Sequence, residues 1–284
     1  MTRSADALAA LRQRLAAASP TAPLDAEILL AHVLGVSRTV LAAEPGRTLA
    51  PSQAAALEEL ALRRIGGEPI AYLTGRREFW SLELEVTPDV LVPRPETELL
   101  VELALAALAR VSRPAVLDLG TGSGAIALAL ARERDDAIVT AVDASRAALA
   151  VAERNARRLR IGNTRFLHGS WFGPVGTRRF DAIVSNPPYV AEDDPALAAL
   201  AHEPSLALAA GENGLSAIAE ICAGAALHLT SGGSLLVEHG AAQGAAAREL
   251  MARAGLVGIE THRDLASLER VTGGRAARQA LESA

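Results

Sequence analysis

The 284-residue chain contains no lysine, and all 28 of its basic residues are arginine. Schiff-base chemistry and a Walker-type phosphate loop both need the lysine amine, so both are excluded. A single cysteine, Cys222, rules out a disulfide within the chain and leaves a zinc cluster without a thiolate set. That usage points to a reducing compartment and predicts a cytoplasmic protein that needs no metal. Cys222 lies in an apolar helical stretch, 218–229, with no basic neighbour in sequence to lower its pKa, and reads as a small buried hydrophobe. No apolar run approaches the ~18 residues needed to cross a bilayer, so no membrane contact is expected. Residues 1–20 interleave Arg3, Asp6, Arg12 and Arg14 with alanine and leucine, which reads as an amphipathic helix, unlike a signal peptide. A basic excess is missing as well. The net charge is -5, whereas a nucleic-acid enzyme needs a basic face to neutralise phosphates, so direct nucleic-acid binding is not expected. The arginine pairs 63–64, 76–77, 157–158 and 178–179 read as solvated helix or loop faces.

What is present divides the chain into three stretches. Residues 1–75 carry helical patterns at 5–17, 22–34 and 51–65, joined by short breaks, and read as a small helical bundle. Residues 76–92 shorten to alternation at Phe79, Leu82, Leu84 and Val86, the period of a β-hairpin linker. Residues 93–284 open with a helix at 99–110. Strands follow near 115–119, 138–142, 164–168, 180–185, 234–238 and 258–262 with helices between, the pattern of an α/β, doubly wound parallel sheet. Ser231-Gly232-Gly233 reads as the turn that delivers the fifth of these strands.

Two motifs sit at strand ends. Val116-Leu117-Asp118-Leu119 runs into Gly120-Thr121-Gly122-Ser123-Gly124, and a helix follows from Ala125. Glycines at such a turn let backbone approach a ligand closely. Asp143, nineteen residues after Gly124 at the end of the next strand, suits ribose hydroxyls. Alone this fits a nicotinamide dehydrogenase equally well, because Gly120-x-Gly122-x-x-Ala125 matches the permissive dinucleotide fingerprint. The second motif, Asn186-Pro187-Pro188-Tyr189, follows the apolar strand 180–185. Its prolines fix φ and remove two N–H donors, which leaves carbonyls available. The group suits a planar NH2-bearing substrate. The Asn186 side-chain oxygen and the Pro187 carbonyl can each accept one N–H, while Tyr189 packs on the face and Pro188 stiffens the loop. Dehydrogenases have no use for such a loop; S-adenosylmethionine-dependent enzymes that methylate amino or amide nitrogens do.

With both motifs in place, the chain resembles the PrmC/HemK family of release-factor glutamine N5-methyltransferases, nearly end to end. The resemblance rests on Asp25-Ala26-Glu27-Ile28-Leu29-Leu30, Gly67-Glu68-Pro69-Ile70-Ala71, Arg77-Glu78-Phe79-Trp80, Leu91 to Glu98, Asp118 to Leu130, Ser185 to Val190, Glu203-Pro204, Leu236 to Gly240 and Glu269-Arg270-Val271. It departs at Ser170, where the family more often has an acid able to hold the adenine amino group, and at His202 and Leu268. The resemblance implies a Rossmann-like methyltransferase domain with an antiparallel last strand around 270–272. It also implies S-adenosylmethionine as methyl donor and a class 1 peptide chain release factor as protein substrate, modified at the glutamine of its Gly-Gly-Gln loop. Gly120, Thr121, Gly122, Ser123 and Gly124 would then lie against the cofactor, with Asp143 on its ribose, Trp171 over its adenine and Asn186 beside its methyl group. Asn186, Pro187 and Tyr189 would serve catalysis, and Asn186 to Tyr189 would bind substrate. Arg94 and Glu98 read either as ligand contacts or as an ordinary ion pair, and His239 reads as a hydrogen-bonded structural histidine. Rival substrates are a ribosomal-protein glutamine and, with a basic target-reading region missing, a DNA adenine. A non-catalytic adenosylmethionine-binding scaffold would lack an intact acceptor loop, and this loop has all four residues.

Overall fold

A computed structural model of the protein describes residues 2–211 and 213–278; the outer bounds 1 and 284 of the expected domains lie outside the described residues. The chain forms two compact units, residues 1–76 and 77–284.

The first unit holds α1 (Ser4–Leu15), α2 (Ala22–Leu34), α3 (Arg38–Ala43), α4 (Pro51–Ile65) and α5 (Ile70–Thr74). Leucines at helical spacing, among them Leu11, Leu15, Leu29, Leu30, Leu57 and Leu60, form its core. Local signals set the ends: Ser37 accepts the Val40 N–H at 3.2 Å, Pro51 opens α4, and Gly35 closes α2 with φ of 65°. α3 and α5 are six and five residues long, too short to show a period, which is why the sequence pattern misses them. Buried Asp25 is balanced by Arg64 at 2.8 Å and by the Ser19 hydroxyl at 2.7 Å. Removing Arg64 would leave that charge in a dry place with hydroxyl partners alone.

The boundary falls one residue into the hairpin of β1 (Arg76–Phe79) and β2 (Leu82–Glu85), turned by Trp80 and Ser81 at positive φ, as a type I′ hairpin turn requires. Asn155, fully buried, accepts the Glu85 N–H at 2.7 Å and donates to the Glu85 carbonyl at 2.9 Å, so the hairpin is clipped to the helix that carries Asn155. That helix is α8 in the run α6 (Glu98–Leu108), β3 (Ala115–Leu119), α7 (Ala125–Glu133), β4 (Ile138–Asp143), α8 (Arg146–Leu159), β5 (Thr164–His168), β6 (Phe180–Ser185), α9 (Ala196–Ala199), α10 (Ser216–His228), β7 (Leu229–Glu238), α11 (Gly244–Arg253), β8 (Val257–Arg263) and β9 (Glu269–Arg275).

Seven of these strands form one sheet in the order β5-β4-β3-β6-β7-β9-β8. β3 to β7 pair in parallel, and β9 runs antiparallel between β7 and β8. Helices cover both faces. Leu100, Leu108, Ile126 and Leu130 pack in one layer, and Ile218, Ile221, Cys222 and Met251 in the other. Such two-sided burial is why the parallel strands read as continuous apolar runs. The expected turn at 231–233 is a correction. β7 is continuous from Leu229, and the register moves from Phe180 opposite Leu229 to Ala182 opposite Ser234, so the extra residues form a bulge inside the strand. Connections leave the sheet in opposite directions from β3 and β6, and that divergence opens a crevice at their carboxyl ends. Leu119 pairs with both Val142 and Ser185, Ser185 with Val237, and Glu238 with Val271. The ends of β3, β4, β6 and β7 therefore share one edge.

Candidate active site

A cavity of about 510 Å³ opens at that edge. Its first wall is the turn after β3. Gly120, Gly122 and Gly124 all have positive φ (73°, 55° and 84°), a path closed to ordinary side chains. The Gly120 and Thr121 N–H groups both donate to the Val142 carbonyl, and the Thr121 hydroxyl donates to Asp118 at 2.6 Å. Asp118 is completely buried beneath the turn, and burial pushes its carboxyl up to about 7. Asp143, at the end of β4, accepts the Gly122 N–H with one oxygen and the Ser145 N–H with the other, both at 2.8 Å. Burial raises its pKa, and these bonds hold it partly down. Trp171 packs over the turn, 3.8 Å from where a Gly120 side chain would begin.

Of the residues read from sequence, Gly120, Thr121, Gly122, Ser123, Asp143, Trp171, Asn186 and Pro188 line the cavity. Gly124, Pro187 and Tyr189 do not. Gly124 serves packing: a Cβ there would meet Ala152 of α8 and Leu128 at 3.1 Å, so the bare backbone lets α7 lie against α8. Ser170 lines the cavity where an acid would have been apt, and Glu220 of α10 brings a carboxylate to the same cavity.

The second wall is the loop after β6. The Ser185 hydroxyl ties β6 to β3 by donating to the Leu119 carbonyl at 2.7 Å, which fixes where the loop starts. Asn186 Nδ2 donates to the Thr97 hydroxyl oxygen at 3.1 Å. Its Oδ1 and the Pro187 carbonyl accept no hydrogen bond from the described residues. Tyr189 turns inward. Its ring packs in the apolar layer of α10 and its hydroxyl lies 3.4 Å from Glu238 Oε1; burial, with Glu238 adding to it, pushes the phenol up to about 12, so it stays protonated. The Tyr189 carbonyl accepts from Gln243 Nε2 at 3.0 Å, and Gly214 passes so close to it that a Cβ would sit 2.2 Å away.

Pro88 to Val90, Leu91, Pro93 and Thr97 form a third wall; the family-like stretch from Leu91 covers part of it, and no sequence pattern singled out 88–90. The carboxylate of Glu203 joins this strap to the loop after β6. It accepts the Val92 N–H at 3.1 Å and pairs with Arg94. Glu98, in contrast, accepts the Trp80 N–H at 2.8 Å. Arg94 and Glu98 thus serve different partners and do not pair with each other. His239 is buried, with Nδ1 bonded to the Gly240 carbonyl at 2.9 Å and Nε2 to the Thr272 hydroxyl at 2.8 Å. Burial lowers its pKa, and the ring is a neutral structural group. Thr97, Glu203 and Glu238 all fall inside family-like stretches, the only sequence signal that could have found them.

The mixed seven-stranded sheet, with a glycine turn after its first strand and an Asn-Pro-Pro-Tyr loop at the point where its connections diverge, defines a methyltransferase of the Rossmann-like class. A 16S rRNA methyltransferase from T. thermophilus, solved with AdoMet and guanosine, shares this fold with a TM-score of 0.53 and 21% identity, covering 71% of this chain and 49% of that one. The methyltransferase small domain matches residues 96–211, and the PrmC N-terminal domain matches residues 6–75. The release factor glutamine methyltransferase of Burkholderia pseudomallei is 51% identical over 266 residues, 91% of this chain and 93% of the relative. That of Salmonella typhimurium is 52% identical over 253 residues, covering 88% and 91%. The chain belongs to the release factor glutamine methyltransferase family.

Proposed function

We propose that this protein methylates the N5 side-chain amide of the glutamine in the Gly-Gly-Gln motif of class 1 peptide chain release factors, with S-adenosylmethionine as donor. The observation that carries the reading is the state of Asn186. Its NH2 is committed to Thr97, and neither its oxygen nor the carbonyl of the following residue, Pro187, accepts a hydrogen bond from the described residues, so both are available to a substrate. Two acceptors side by side match the two N–H bonds of a primary amide.

The cavity fits the donor. About 510 Å³ lies within the usual range of small-ligand pockets, its glycine wall lets a ligand approach the backbone, and Asp143 keeps lone pairs for ribose hydroxyls after accepting its two N–H bonds. Gly120 to Ser123 would hold the donor's amino-acid and ribose portions, and Trp171 with Glu220 its adenine. When bound, it supplies a methyl group activated on a sulfonium sulfur. An amide nitrogen is a poor nucleophile, and this chain's task is to aim it. With Asn186 Oδ1 and the Pro187 carbonyl each taking one N–H, the lone pair is held in line, and positioning of this kind can contribute about 7 to 11 kcal/mol. The amide nitrogen would form the new N–C bond as the S–C pair returned to sulfur, and its surplus proton would pass to solvent water, with no side chain required as base. Pro188 keeps the loop stiff, and Tyr189 backs it from the apolar side. We assign residues 1–75 to substrate docking, 76–92 to the hairpin linker and 93–284 to catalysis, in a cytoplasmic protein that binds neither nucleic acid nor membrane and uses no metal. Among the described residues no helix is long and apolar enough to cross a membrane.

The test mixes the protein and labelled S-adenosylmethionine with unmethylated release factor, its Gly-Gly-Gln glutamine mutant, ribosomal protein or duplex DNA. Label on the wild-type release factor alone is expected. Label on ribosomal protein or DNA instead would overturn the substrate assignment.

A further inference from the structure

Behind Asn186 lies a buried carboxylate to which neither motif assigns a task. Thr97 ends the short 3-10 turn Pro95–Thr97 ahead of α6 and is buried. Glu238 ends β7 with 1% of its surface exposed. Its Oε1 faces the Tyr189 hydroxyl, and its Oε2 has no partner in full hydrogen-bond geometry, although the Thr97 hydroxyl is near enough to draw its proton affinity down. A buried acid with an oxygen left over is costly, and such a group calls for an explanation.

The proton count supplies one. A hydroxyl has one proton to give. The Thr97 oxygen accepts from Asn186 Nδ2, so its proton is free to turn to Glu238. Asn186 gives to Thr97, and an anion at Glu238 would draw the remaining Thr97 proton toward its unpartnered Oε2, which would fix the direction of both contacts. The Asn186 amide then cannot flip, because flipping would set its oxygen against the lone pairs of Thr97.

We infer that Glu238 and Thr97 are positioning residues, a chain that holds the Asn186 amide with Oδ1 toward the acceptor nitrogen and polarises it as positive charge develops there. The inference rests on the reading of Asn186 as the acceptor-binding group. Hydrogen bonds in series strengthen one another, and a terminal anion adds to the negative charge on Asn186 Oδ1 when the substrate N–H becomes more acidic. Glu238 does not line the cavity, and Thr97, at its wall, acts through Asn186. Around Glu238, Arg270 of β9 lowers its proton affinity, Glu96 of the 3-10 turn raises it, and the Tyr189 hydroxyl lowers it, while burial dominates and pushes the carboxyl up to about 7. Arg270 is itself paired with Asp264, and His239, the next residue along the chain, is bound to Thr272.

The experiment compares Thr97→Val, Thr97→Ser and Glu238→Gln with the wild type. Thr97→Val keeps the shape but removes the relay, and kcat should fall roughly 30-fold, the equivalent of about 2 kcal/mol for a lost buried hydrogen bond. Thr97→Ser should restore kcat to within about threefold. S-adenosylhomocysteine affinity and substrate KM should stay near wild type in both, while Tm holds in Thr97→Ser and drops by a few degrees in Thr97→Val. Wild-type kcat should decline as pH drops through about 7, where Glu238 takes up a proton, and Glu238→Gln should lose that limb. Amide-proton NMR reads the same contact without substrate. The Asn186 side-chain NH2 pair, assigned by its absence in Asn186→Ala, should shift and exchange faster with water in Thr97→Val but not in Thr97→Ser. Unchanged Asn186 resonances in Thr97→Val overturn the inference whatever the substrate proves to be. So does a kcat loss matched by loss of cofactor affinity, or a pH limb that Asp118→Asn removes and Glu238→Gln leaves unchanged. If the wild type leaves release factors unlabelled while the Asn186 signals respond as expected, the substrate reading fails and the chain of bonds stands.

Discussion

The two principal walls of the cavity are built in opposite ways. The wall after β3 and β4 is made of backbone. Its shape comes from three glycines at positive φ, and its one cavity-facing carboxylate is held by the N–H groups of Gly122 and Ser145. The wall after β6 is made of side chains drawn from distant parts of the chain: Thr97 on Asn186, Glu203 on Val92 and Arg94, Glu238 on Tyr189, Gln243 on the Tyr189 carbonyl. A backbone wall is fixed by local sequence and tolerates any ligand that fits. A wall of side chains can be tuned atom by atom to one acceptor.

That contrast can be broken most sharply at Asn186. Asn186→Ala is expected to lower kcat by about 10² to 10³, the usual cost of a group that meets developing charge, while S-adenosylhomocysteine titration gives unchanged affinity. An equal loss of cofactor affinity would erase the division between the walls. On the backbone side the corresponding lesion is one of folding: Gly124→Val puts a branched side chain at φ of 84° against Ala152 and Leu128, and should cost about 3 kcal/mol in urea unfolding. Next comes Asp143→Ala, for which cofactor affinity should weaken roughly 30-fold with kcat at saturation little changed, the mirror image of Asn186→Ala.

Asp118 and Glu238 define a smaller effect. Their carboxyls ionise near 7 in the folded chain, against ordinary values of 3.8 and 4.5. Between those limits the native state binds more protons than the unfolded chain, so stability should fall as pH rises from about 4.5 to about 7 and level off above. Each group contributes on the order of 1 to 3 kcal/mol. Urea midpoints at pH 5 and 8 should therefore differ less in Asp118→Asn than in the wild type. The smallest effect is assigned to Glu220→Ala, with cofactor affinity down about threefold, because a solvent-facing hydrogen bond contributes little net energy.

Legibility from sequence follows the same contrast. The glycine turn, Asp143 and the strand that leads to Asn186 are contiguous motifs whose conformations are dictated over five to six residues, and the parallel sheet follows from βα alternation. The Thr97–Asn186 contact joins residues 89 apart in sequence, and Glu203 reaches Val92 across 111, so periodicity has nothing to say about either. Tyr189 was read as a shield over the substrate because an aromatic beside an amide motif suggests stacking. Its inward turn depends on an acid at the end of a different strand. Residues 88–90 of the strap carry no periodicity and so show no face in the sequence, and the family-like stretch from Leu91 to Glu98 does not say by itself which of its residues line the cavity. The bulge in β7 was taken for a turn, since Gly-Gly signals a break without saying whether pairing resumes on the same strand.

Cys222 carries a practical consequence. It is the chain's single thiol, 1% exposed on the buried face of α10, and burial pushes its pKa up to about 12. While α10 stays in place, alkylating reagents and peroxides meet neither an accessible sulfur nor a thiolate. Labelling of the unmodified protein therefore clocks the opening of the helical layer over β6 and β7, and it would register a ligand that tightens the cavity as a slower clock.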